Sequence, residues 1–101
     1  MTEVSLDELR RHVERLHGCR AEYRKSVGVR EEFQGQVAWE GRVHIFSLYG
    51  HIDDAASCYA WSAPVEDSET RRFYAVLHTS EVDTPAQAVR AAIVSDHRAQ
   101  A

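Results

Sequence analysis

The chain has 101 residues, of which 44% are hydrophobic and 28% charged, and its formal net charge is −4. These proportions fit a single soluble globular domain over residues 1–101 and exclude a disordered chain, a collagen-like repeat and a coiled-coil rod. The acidic balance argues against a protein that coats nucleic acid through bulk charge.

The first predicted element is a helix over residues 6–17. Ser5 and Glu8 form a capping box, Val4 and Leu9 sit where a hydrophobic staple would place them, and Leu6, Leu9, Val13 and Leu16 recur at helical spacing. Asp7 and Glu8 in the first turn and Arg15 and His17 near the last suit the helix dipole, and Gly18 suits a left-handed C-terminal cap. Alternation then predicts a long strand, with Ala21, Tyr23, Val27, Val29 and Phe33 on its buried parity. Lys25 and Glu31 interrupt that parity, which predicts a bulge or a frayed edge. Gln34-Gly35-Gln36 reads as a tight hairpin turn.

The second strand carries Val37, Trp39, Val43 and Ile45 on one parity and ends with both parities apolar, before Gly50 opens a polar loop. A short strand over Cys58–Ala63 and an apolar strand over Thr70–Thr79 follow, separated by an acidic loop. In the final helix Thr84 caps, Pro85 takes the first helical position and Gln87 completes a second capping box. Its stripe is narrow and small: Ala88, Val89, Ala92 and Ile93, with fraying expected after His97. The order α-β-β-β-β-α predicts an α+β fold: an antiparallel sheet of about four strands, with two terminal helices on one face.

That arrangement leaves a surplus of apolar residues. One register turns Phe46, Leu48, Cys58, Ala60, Tyr74 and Val76 to one side of the sheet. Tyr59, Trp61, Phe73 and Leu77 then point to the other. If both helices cover the same face, an apolar face is left for a partner, and the expected partner is a second copy or another protein. Phe46, Tyr59, Trp61 and Tyr74 are the expected contact residues.

The charge is uneven along the chain. Residues 10–30 hold seven bases against two acids, and eleven of the twelve bases of the whole chain are arginine. Arg20, Arg24 and Arg30 on the polar parity of the first strand form a candidate nucleic-acid strip, the alternative to protein binding. On the first helix Asp7–Arg11 and Arg10–Glu14 have ion-pair spacing, which answers much of that charge locally.

Chemistry is sparse. Cys19 and Cys58 form no CxxC, which predicts reduced thiols in a cytoplasmic protein. The opening MTEVSLDELRRH lacks the apolar core of a signal peptide. The longest apolar run, Phe73–Leu77, is too short to cross a bilayer, so no membrane partner is expected. His12 and His17 are five apart, and His51, Asp53 and Asp54 share one loop, but neither group reaches the count and spacing of a metal site. No GxSxG or phosphate loop occurs, so no cofactor or metal is expected, and no catalytic residue is assigned. A small enzyme would have to join His51 or His78 to the Asp pair. The leading expectation is a small binding or adaptor module, self-associating through an apolar sheet face.

Overall fold

The computed structural model describes residues 5–50, 57–64 and 71–100. The elements are α1 (Leu6–His17), β1 (Arg20–Phe33), β2 (Gln36–Tyr49), β3 (Ser57–Pro64), β4 (Arg71–Leu77) and α2 (Pro85–Gln100). The strands form one antiparallel sheet in the order β1-β2-β3-β4, so the α+β meander read from the sequence is present. The staple residue Val4, the loop residues His51, Asp53 and Asp54, and the acidic Glu66, Asp67 and Glu69 lie outside the described residues.

Local chemistry sets the element ends. Ser5 Oγ accepts the Glu8 N–H at 3.1 Å, and Gly18, at φ 62°, turns the chain out of α1 while its N–H returns to the Glu14 carbonyl at 2.9 Å. Gln34 and Gly35 both have positive φ, 55° and 80°, the signature of a two-residue type I′ hairpin between β1 and β2. Thr84 Oγ1 accepts the Gln87 N–H at 3.2 Å at the start of α2. The Gln87 side chain reaches back to the Asp83 N–H at 2.8 Å, one residue before the cap. β4 ends at Leu77, because Thr79 turns its N–H to the Val82 carbonyl at 2.9 Å. α2 continues past His97 to Gln100.

The helices lie on opposite faces of the sheet, not on one. Leu9 and Val13 of α1 pack with Ala21, Phe46, Leu48, Cys58 and Ala60. Ala88 and Val89 of α2 pack with Val29, Val43, Tyr59 and Trp61. Two helices on one face would have left these four strand residues open. The second core exists because β4 pairs Tyr74 with Trp61 and Val76 with Tyr59, while Leu77 meets Cys58 and Phe73 meets Ser62. Directly paired residues share a face. The β4 parity expected from the sequence is therefore reversed relative to β3.

A bulge lets one strand serve both cores. In β1, Tyr23 pairs with Phe46 but Lys25 pairs with Ile45, so Arg24 is an extra residue. One extra residue exchanges the two faces from that point on. Ala21 and Tyr23 thus lie on the α1 side, whereas Val27, Val29 and Glu31 lie on the α2 side. Glu31 does not fray the strand. Only 7% of it is exposed, and its carboxylate accepts the Arg90 Nε–H from α2 at 2.6 Å.

The far half of the β1–β2 hairpin leaves the sheet. β2 pairs with β3 only over His44–Ser47. The hairpin instead closes over α2, bringing Phe33 to within 5.1 Å of the His97 ring, centroid to centroid. This divergence of β2 from β3 leaves open space on both sides of the sheet.

Candidate functional site

A pocket of about 270 Å³ lies between the curled hairpin, the end of β3 and the C-terminal half of α2. Phe33 and Trp39 come from the hairpin, Trp61 and Tyr74 from the sheet, and Ile93, Asp96 and His97 from α2. The rings are ordered against one another. Trp61 stacks on Tyr74 with centroids 5.1 Å apart and planes 7° from parallel, and Trp39 tilts against Trp61 at 6.0 Å.

Trp39 reaches this position by lying over Gly41. A Cβ placed at residue 41 would come within 2.7 Å of the Trp39 ring. Gly41 is therefore a seat for the indole, two residues along the same face of β2.

The hydroxyl and the carboxylate of the pocket are already engaged. The Tyr74 hydroxyl donates to Asp96 Oδ2 at 2.6 Å, and Arg72 holds Asp96 Oδ1 at 3.3 Å. The Arg72 guanidinium also lies 5.1 Å from the centre of the Tyr74 ring. Burial and the hydrogen bond to Asp96 push the Tyr74 hydroxyl up to about 12. Asp96 is thus a clamp on Tyr74 whose charge Arg72 answers. The pocket offers aromatic walls without a free anion, which suits a flat uncharged group better than a cation.

The four expected contact residues are not brought together on an exposed face. Phe46 is fully buried beneath α1. Tyr59 and Trp61 are buried on the other face, under α2, and only Tyr74 is half-exposed. The surplus apolar face expected from the sequence is covered by the chain's own second helix, and two of the four, Trp61 and Tyr74, line the pocket instead. The sequence places Phe33, Trp39 and Ile93 only on buried faces and His97 only at the frayed end of the last helix, and it gives no role to Asp96. A usable signal was present in Trp39 and Gly41, a large ring followed on the same face by the one residue without a Cβ.

The arginine strip is divided. Arg24 is the bulged residue, and its side chain donates to the hydroxyls of Ser47 and Tyr49. Arg20 pairs with Tyr49 at the same end of the strand. Arg30 lies beyond the bulge, opposite Glu40 on the other side of the sheet, with Glu32 at 3.7 Å. The ion pairs expected on α1 do form: Arg11 meets Asp7 at 2.8 Å and Arg10 meets Glu14 at 3.1 Å.

Three histidines of the described residues make side-chain hydrogen bonds. His44 Nδ1 lies 2.6 Å from Ser26 Oγ, which also meets the Tyr23 hydroxyl at 2.7 Å. His78 Nδ1 lies 2.8 Å from the Tyr59 hydroxyl, and His17 Nε2 donates to the Ala75 carbonyl at 3.1 Å. Burial holds both His12 and His44 below their ordinary value of 6.5. Cys19 and Cys58 are free, and burial raises both thiols, Cys58 to about 12. Among the described residues no three His, Cys, Asp or Glu side chains converge as a metal site would require, and no helix is long and apolar enough to cross a membrane.

Comparison with known proteins returns no match: no protein-family model, no curated protein and no solved structure is similar to this chain.

Proposed function

We propose that this protein is a binding module that takes a flat, uncharged apolar group into the pocket between Trp39, Trp61, Tyr74 and α2. One observation carries the reading: an aromatic-walled cavity of about 270 Å³ whose one carboxylate, Asp96, is already held by Tyr74 and Arg72. Its size suits a single ring or a side chain, since sites for drug-sized molecules begin at about 300 Å³. The two unbridged thiols support a reducing, cytoplasmic setting for this activity.

The only two tryptophans in the chain line this pocket, so tryptophan fluorescence reports on the site. Toluene, which does not fluoresce under selective tryptophan excitation, is a suitable probe. The expected result is a saturable change in emission with a Kd of about 1 mM or tighter, which is what a small apolar fragment can achieve. Gly41→Ala displaces the Trp39 ring and is expected to weaken that binding about tenfold, the 1–2 kcal/mol scale of an overpacked contact. Toluene that leaves both tryptophans unchanged at saturation rejects the proposal.

A further inference from the structure

We propose that the cleft between β2 and β3 accepts an extended peptide as an added strand, one in which acidic and apolar side chains alternate. The apolar half of this statement rests on the pocket reading above. The backbone half stands on its own.

The backbone argument begins with unused edges. β2 is fourteen residues long, yet only His44–Ser47 pair with β3. Among the described residues, no strand pairs with the β3-facing edge of residues 36–43, nor with the β2-facing edge of β3 over residues 61–64. Two open edges facing one another are a template for a further strand. Pro64 removes one donor on the β3 side, so the β2 side sets the register. Residues 37–43 would pair with a peptide of about seven residues, roughly 23 Å long.

The space is present. A groove of about 930 Å³ runs along residues 37–42 of β2 and residues 62–64 of β3. Ala38, Trp39 and Ala63 line both this groove and the aromatic pocket. The cleft therefore opens on both sides of the sheet, past the same three residues.

The two sides select different chemistry. Successive side chains of a strand point to opposite faces. On the pocket side, an inserted strand presents every second side chain to Trp39, Trp61 and Tyr74. On the groove side it meets Arg42 and Arg71, neither of which has a carboxylate partner among the described residues, against the single acid Glu40. Arg71 is held in place by Ser62, donating to its Oγ at 2.9 Å and its carbonyl at 3.1 Å. Burial lowers the groove-side His44, so the excess positive charge there comes from the arginines. The two arginines select carboxylates, and the rings select apolar side chains.

The test uses three labelled, end-blocked heptapeptides and the full chain. One alternates Glu with Phe, one has the same composition in two blocks, and one alternates Lys with Phe. Anisotropy is expected to show the alternating acidic peptide binding with a Kd of about 10 μM. The other two should bind at least about tenfold more weakly, and Arg42→Glu should cost about fivefold or more. Amide resonances of residues 37–43 should shift with the bound peptide. Equal binding of all three peptides, or binding that leaves those amides in place, overturns strand addition. Toluene in the pocket with no peptide bound overturns strand addition and leaves the pocket reading intact. Amide shifts on residues 37–43 with both tryptophans unchanged reject the pocket reading and with it the apolar half of this proposal. Light scattering that shows a dimer burying residues 37–43 makes the occupant a second copy and also overturns it.

Discussion

Tyr74 shows how much one side chain holds together at the pocket. Its ring stacks on Trp61, its hydroxyl donates to Asp96, and Arg72 lies near both ring and carboxylate. Tyr74→Phe keeps the stack and removes the donor. Asp96 retains Arg72 and is partly solvated, so the expected cost is about 1–2 kcal/mol, read from urea unfolding at neutral pH. The pH dependence has a definite sign. Burial and Asp96 raise this hydroxyl from 10 to about 12, so the unfolded chain ionises first as pH rises. Stability is therefore lost between pH 10 and 12 in the wild type, and the loss should be smaller in Tyr74→Phe. Equal alkaline losses in the two proteins would show that Asp96 does not hold this hydroxyl protonated.

At the scale of elements, the β1 bulge decides the architecture. Before it the strand serves α1 through Ala21, and after it the strand serves α2 through Val29 and Glu31. Residue count matters here more than residue identity. Arg24→Ala removes exposed hydrogen bonds to Ser47 and Tyr49 and should cost no more than about 1 kcal/mol. Deletion of Arg24 would instead turn Val27, Val29 and Glu31 away from α2, or force the bulge to re-form elsewhere. Loss of the cooperative unfolding transition is expected for the deletion, or a drop of more than about 4 kcal/mol. A deletion variant as stable as Arg24→Ala would show that the bulge is not what divides the strand between two cores. The sequence carried the existence of this irregularity through Lys25 and Glu31, which break the parity. It did not carry the consequence. Alternation fixes which residues share a face only while the register holds, and a bulge exchanges the faces without changing composition. The capped helix ends, the Gln34-Gly35 turn and the strand order were legible because each depends on residues within a few positions.

At the scale of the whole molecule, the sequence could not show that the sheet has a helix on each side. A surplus of apolar residues reads the same whether it is covered by a partner or by the chain's own C-terminal helix. Ala88 and Val89 give that helix a narrow buried stripe, and the curled hairpin supplies the rest of its cover through Val29, Glu31 and Phe33. The pocket was hidden for the same reason, since it exists only where the hairpin, the sheet and α2 meet. Both helix-bearing faces are then internal, and acid should act on the fold through the two histidines that burial depresses. His12 lies against Phe73 at 4.9 Å, with Arg15 and His17 raising the local positive charge. His44 lies against Ser26, with Arg42 nearby. Folded values below 6.5 mean that the unfolded chain takes up protons first as pH falls. Stability should therefore decline as pH drops below 6.5, well above the range in which Asp7, held below 3.8 by its Arg10 hydrogen bond, loses its charge. Replacing both His12 and His44 with Gln should flatten the dependence of unfolding free energy on pH in the window just below 6.5, measured by urea titration at several pH values. A double variant as steep as the wild type across that window would place the acid sensitivity elsewhere in the chain.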